Sequence, residues 1–313
     1  HKFTGSGARA FLDRILAGHM PERGRVNLSP MLLESGKLNG DLTVACIDDE
    51  TYYLFGSSVA QNMHLRWFEK HLEGVDDVIY KNMTDDFHGI AISGPNSREL
   101  LSRLTREDVS SDAFKFRDIR DTFIGGVPAL CVRLSFTGEL GYEIYVAPQY
   151  QLKLFEEIEE AGKDLDVKWF GGRALMSMRL EKSWGAWTMD FRPDFTLMES
   201  GLDFFVNWNK DFIGKDAALE EKKNGPSKHL SVIEIETETD VSGDEAVMHN
   251  GKCISYITSG GYGHSVEKSL AMTYLPVELI DKDTELEVEI LGQFYKASVV
   301  MKPLYDPAGS KMR

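Results

Sequence analysis

The chain has 313 residues, 42% hydrophobic and 27% charged, proportions of a globular protein with room for two or three domains. A formal net charge of −15 and a pI near 5.0 argue against a nucleic-acid-binding surface. No apolar run is long enough to span a bilayer, so no membrane partner is expected.

The opening "HKFTGSGARAFLDRIL" starts almost inside a strand–turn–helix unit and shows no leader, so a piece of a longer protein is expected. "SGARAFLDRIL" (6–16) puts a Ser-Gly turn before an amphipathic helix, with Leu12, Ile15 and Leu16 on one face. The β-rich stretches "GRVNLSPML", "GDLTVACI" and "TYYLFG" follow, then the helical "AQNMHLRWFEKHL". In "SGKLNGDLTV" (35–44), Asp41 comes directly after Gly40, where a turn hands over to a strand. An acid there serves either its own turn or a site.

The order then repeats. "SGPNSRELLSRL" (93–104) carries Leu100, Leu101 and Leu104, followed by "DTFIGGVPALCVRLSF", "GYEIYVAP" and the helical "QYQLKLFEEIEEAG". Residues 1–162 therefore read as two related α+β halves offset by roughly 87 positions. This offset sets Glu143, in "SFTGELGYEIYV", near the place that Asp41 takes in the first half. A further helix, "GGRALMSMRLEKSWG", precedes a loop rich in Asp, Phe and Pro. After "NGPSKH" (224–229) the pattern becomes strand after strand, an antiparallel barrel or sandwich. The expected division is 1–225 and 226–313.

Cys46, Cys131 and Cys253 are far apart in apolar, strand-like stretches, which predicts buried free thiols in a reducing compartment. No metal site is expected, because the acid pairs Asp48–Asp49, Asp76–Asp77 and Asp85–Asp86 lack a ligand pattern. His88 and His264 belong to no nucleophile elbow.

"LNGDLTV", "SFTGELGYEIYV", "GGRALMSMRLEK", "GKDAAL", "ITSGGYGHSVEKSLAMTYL" and "PLYDP" occur in that order. With this set the chain resembles the glycine-cleavage T-protein (aminomethyltransferase) family over nearly its whole length. Within that family it is most similar to the folate-binding C-terminal part of dimethylglycine and sarcosine dehydrogenases. The resemblance implies a three-lobed, cloverleaf-like α+β fold around a tetrahydrofolate pocket, and one-carbon transfer to folate. It implies Asp41 as the catalytic carboxylate and Glu143 as the acceptor for the pterin N–H edge. Arg179 would lie beside the folate. Phe136 (where many relatives carry Tyr), Tyr142, Trp187 and Tyr262 would form its walls, Tyr262 on a Gly-rich loop. No G-x-G-x-x-G follows an N-terminal strand, so no flavin is expected on this chain. The implied partners are a flavin-dependent dehydrogenase domain or, for a stand-alone aminomethyltransferase, a lipoyl carrier. A folate-dependent demethylase and a non-catalytic folate-binding module are the remaining readings. The expected compartment is the cytoplasm or the mitochondrial matrix.

Overall fold

The computed structural model describes all 313 residues. In the first lobe, β1 (Lys2–Thr4), α1 (Ala8–Ile15), β2 (Arg25–Leu32), β3 (Leu38–Asp48), β4 (Thr51–Phe55), α2 (Gln61–Leu72) and β5 (Ile79–Lys81) form an antiparallel sheet backed by helices. The strand order is β2-β3-β4-β1-β5. α1 buries Phe11, Leu12 and Ile15 at helical spacing against Leu42, Val44 and Cys46 of β3. The second lobe comprises β6 (His88–Ser93), α3 (Ser97–Leu104), β7 (Ile119–Ile124), β8 (Val127–Val132), β9 (Gly141–Val146) and α4 (Gln151–Ala161). Its sheet runs β6-β9-β8-β7.

Strand register makes the internal repeat explicit. Phe3 pairs with Tyr52 in the first sheet, and Ile92 with Tyr142 in the second. Ala45 faces both Val26 and Tyr53, as Val132 faces both Ile119 and Glu143. Glu143 is therefore the counterpart of Tyr53, not of Asp41. The single offset read from sequence fails because loops differ in length: the shift is 87 residues at β3/β8 and 90 at β4/β9.

Counterpart residues meet each other across a local two-fold axis. The Val26 N–H donates to the Arg117 carbonyl at 2.9 Å, and the Ile119 N–H to the Gly24 carbonyl at 2.9 Å. Arg25 forms an ion pair with its own counterpart, Asp118. The rings of Phe55 and Tyr145, also counterparts, stack with centroids 4.7 Å apart. Between them Val26, Ala45, Ile119, Leu130 and Val132 close a dry seam, the interior of what amounts to an isologous interface within one chain.

A third layer holds α5 (Gly172–Glu181) and α6 (Lys215–Asn224) with a long loop between them. The loop's Phe191, Leu197, Leu202, Val206 and Phe212 pack on Ala17, Leu32 and Leu38 of the first lobe. The chain then closes a six-stranded antiparallel barrel. Its strands are β10 (Lys228–Ile235), β11 (Ala246–His249), β12 (Lys252–Gly263), β13 (Lys268–Pro276), β14 (Leu286–Ile290) and β15 (Gln293–Val300). The sequence division at 225/226 falls between α6 and β10. The stretch holding Tyr262 is part of β12 rather than a loop, with Gly261 opposite Leu270 and Tyr262 opposite Ser269. Its glycines admit a neighbour: a Cβ on Gly261 would touch Leu180 of α5 at 3.5 Å, and one on Gly263 would press on Glu181 at 3.0 Å. Cys46 and Cys131 are buried as expected, whereas Cys253 is exposed, because its neighbour Ile254 on β12 packs on the barrel core and strand alternation turns Cys253 outward.

Gly5 and Gly94 open the equivalent helices with φ of +117° and +119°. At Gly94 an added Cβ meets nothing, but at Gly5 it would lie 2.2 Å from the Asp77 carbonyl oxygen. Gly94→Ala should therefore cost only backbone strain, about 1–3 kcal/mol. Gly5→Ala should cost clearly more, and denaturant unfolding of the two variants measures the difference.

Candidate functional site

Asp41 is the fourth residue of β3, beyond the turn at 33–36. A β-bulge just before it, where Met31 faces Gly40 and Leu32 faces Leu38, sets which face Asp41 presents. From there the strand alternates regularly. Asp41, Thr43 and Ala45 share the face that Ala45 buries in the inter-lobe seam. The Asp41 carboxylate makes no side-chain hydrogen bond and has no cation within ion-pair distance, so it does not serve its turn. Burial, opposed only in part by a hydrogen bond from its own backbone N–H, pushes its pKa up to about 7.

Glu143 enters the same seam from β9. Thr43 pairs with Phe55, Phe55 stacks on Tyr145, and the Tyr145 hydroxyl donates to Glu143 Oε2 at 2.6 Å. Burial raises the Glu143 pKa, and the tyrosine hydroxyl only partly opposes this. Two half-buried, cation-free carboxylates thus open on one seam from facing sheets. That is an arrangement suited to accepting protons or N–H donors.

Behind Asp41, the His64 ring meets the Asn39 carbonyl at 3.0 Å through Nε2, and the place of a Gly40 Cβ also lies 3.0 Å from Nε2. Burial lowers the His64 pKa to about 4, so the ring is neutral at physiological pH. Trp187, only 9% exposed, lies in the third-layer core with its ring 6.0 Å from that of His64. It supports the strand that carries Asp41 from behind.

Other expected site residues lie elsewhere. Tyr142 is not a wall: the residue before Glu143 on a strand faces the opposite side, and Tyr142 is buried in the second-lobe core. Arg179 is not free to touch a ligand either. It is 1% exposed and gives Nη1 to Asp190 Oδ2 at 2.6 Å and to the Trp184 carbonyl at 2.9 Å. Asp190, fully buried, also accepts from the Ala186 N–H and from the hydroxyls of Thr258 and Ser259, which ties α5 to the barrel. Tyr262 is 42% exposed, and its carbonyl accepts the Ser177 hydroxyl of α5. Phe136 is half-buried in the loop before β9 and pairs with no other ring. Tyr145 was not anticipated, although its place two residues after Glu143 marks it as facing the same way. His64 and Asp190 carried no local sequence signal. Two cavities lie away from the acids. One of about 610 Å³ is bordered by Arg103, Arg106 and Phe123; one of about 300 Å³ by Trp184, Phe204 and His229. No three metal-ligating side chains converge, and no helix is long and apolar enough to cross a membrane.

Asp41 gives a pH signature. Its folded pKa of about 7 lies above the ordinary 3.8, so the folded state binds more protons in between. Stability should fall as pH rises from about 4 to about 7, with the full penalty present above that range. Asp41→Asn should flatten this decline and raise the melting temperature at pH 8 more than at pH 5.

Residues 1–210 match the GCVT N-terminal domain, and residues 228–306 the glycine cleavage T-protein C-terminal barrel domain. The human mitochondrial dimethylglycine dehydrogenase is 36% identical over 96% of this chain, which spans 35% of that relative. The aminomethyltransferase of a Geobacillus species is 33% identical over 97% of this chain and 84% of its own length. The solved glycine cleavage system aminomethyltransferase T from Bartonella henselae superposes on 98% of the chain, and on 83% of its own, with a TM-score of 0.87 at 24% identity. The chain belongs to the glycine-cleavage T-protein, or aminomethyltransferase, family.

Proposed function

We propose that this chain transfers a one-carbon unit to tetrahydrofolate at the inter-lobe seam. The observation that carries the reading is the pair of cation-free carboxylates, Asp41 and Glu143, facing one seam with pKa values raised by burial. The residues fit such an acceptor. Glu143 has one oxygen committed to Tyr145, and its remaining lone pairs suit the N–H edge of a pterin. Asp41 has no side-chain partner or cation, and near neutral pH it stands between its two protonation states, which suits proton acceptance. Phe136, half-buried and unstacked, is available to lie on a flat heterocycle. Tetrahydrofolate supplies the nucleophilic nitrogens that take up the carbon unit. The chain's own groups orient those nitrogens, take the proton they lose and offset the positive charge of the incoming group. Arg179 supports the site at one remove, through the Asp190 junction that fixes α5.

The higher identity to dimethylglycine dehydrogenases supports a donor made by flavin-dependent oxidation of a methylamine on an adjoining domain. The chain spans about a third of the length of those relatives. The 84% coverage of a bacterial aminomethyltransferase supports a second reading, in which the donor is an aminomethyl group on a lipoyl carrier. Turnover with each donor in turn separates the two.

Tetrahydrofolate at 100 times its dissociation constant should stabilise the fold by about 2.7 kcal/mol. A flat thermal-shift titration on folded protein counts against the reading. Glu143→Gln should weaken folate binding by roughly 1.5–3 kcal/mol, the scale of a charge-assisted hydrogen bond. Asp41→Asn should keep folate binding within a few-fold while methylenetetrahydrofolate formation falls by about 10²–10⁴. Intact transfer in Asp41→Asn removes the proposed role of this residue.

A further inference from the structure

Arg133 follows β8 in the second lobe and is 1% exposed. Its Nη1 donates to the Phe114 carbonyl at 2.6 Å, while Nε and Nη2 are buried without partners. No carboxylate lies within ion-pair distance. Asp118, whose carbonyl accepts the Arg133 N–H, has its carboxylate engaged by Arg25 and by the Lys115 N–H. The ring of Phe114 lies 5.7 Å from that of Tyr142, whose hydroxyl is likewise buried and unpartnered. Arg98 of α3 completes the group; its Nη1 reaches only the Val109 carbonyl. Burial raises the Tyr142 pKa, and the positive charges of Arg98 and Arg133 act against that rise.

The first lobe shows the same frame with its polar groups satisfied. The counterparts of Arg98, Tyr142 and Arg133 are Arg9, Tyr52 and Cys46. There the Tyr52 hydroxyl donates to the Asp49 carbonyl and accepts from Arg9, and the Cys46 thiol donates to the Asp48 carbonyl. The second lobe thus replaces a thiol by a guanidinium and leaves the tyrosine hydroxyl unbonded. A guanidinium does not shed its proton, and a buried charge without a partner is strongly unfavourable.

We propose that the second lobe binds a small inorganic anion of chloride size, held by the free N–H groups of Arg133 and the Tyr142 hydroxyl, with Arg98 adding positive charge. The unsatisfied nitrogens of Arg133 can only donate, and no carboxylate forms an ion pair with them, so the group favours an anion over a cation. The site lies within the second-lobe core, on the sheet face opposite Glu143, so its occupancy acts on stability.

The test has two arms. In the first, the full chain is melted at constant ionic strength while sodium gluconate is replaced by sodium chloride. The melting temperature should rise by about 2–4 °C as millimolar chloride saturates the site. Arg133→Met and Tyr142→Phe should abolish the rise, and Arg133→Met should be no less stable than the parent in gluconate. In the second arm, crystals of the unaltered protein grown in sodium bromide should show an anomalous peak in hydrogen-bond reach of Arg133 and Tyr142. This arm stands even if a variant fails to fold. No peak overturns the proposal. So does a peak without any chloride-dependent stability in the parent protein, since that marks an adventitious ion only. A chloride response retained in both variants places the ion elsewhere and also overturns it.

Discussion

The stack of Phe55 on Tyr145 is the contact on which the rest of the molecule is organised. Each ring comes from the same strand of its own half, so the local two-fold axis runs between them. The reciprocal backbone bonds of Val26 and Ile119 and the Arg25–Asp118 pair extend that contact into a seam. Stacking of this kind adds about 0.5–1.5 kcal/mol beyond the area it buries. Its greater effect is geometric: it fixes two sheets face to face, so a carboxylate on β3 and another on β9 open into one space. The hydroxyl of the stacked tyrosine then orients Glu143 directly.

A second junction performs the corresponding task for the remaining lobe. Asp190 collects a guanidinium, a backbone N–H and two hydroxyls from three separate stretches of chain. Breaking such a buried pair from one side leaves an uncompensated charge. The glycines of β12 bring α5 against the barrel closely enough for the junction to form. The seam and the junction share no residue, so the joining of the two lobes and the lobe-to-barrel attachment are held by different chemistry.

Much of this was legible in the sequence because it rests on periodicity and order. The amphipathic spacing of Leu12, Ile15 and Leu16, and of Leu100, Leu101 and Leu104, marked the two equivalent helices. The Gly-Pro-Ser break marked the approach to the barrel. Asp41 was singled out by the resemblance and Glu143 by the resemblance together with the internal repeat, since a lone carboxylate beside a turn has no distinguishing local pattern. What stayed hidden depended on register and on long-range pairing. A loop-length difference of three residues between strand offsets moved the counterpart of Glu143 from Asp41 to Tyr53. Tyr142 was misread because strand parity decides which of two adjacent residues enters the core. Arg179 was misread because its partner, eleven residues away, meets it only once the loop after α5 has folded back.

The two-fold frame has a consequence for how any bound molecule is aligned. A strictly symmetric seam would offer equal surroundings to either end of a ligand lying across the axis, so head and tail would be interchangeable. Here the symmetry is broken at matched positions, Tyr53 against Glu143 and Asp41 against Pro128, while the stacked rings between them stay nearly alike. The two faces of the seam therefore differ: the first lobe sets Asp41 near the aromatic Tyr53 and Phe55, and the second sets Glu143 beside Tyr145. Duplication supplied the shape of the seam; divergence at matched positions gave it a direction.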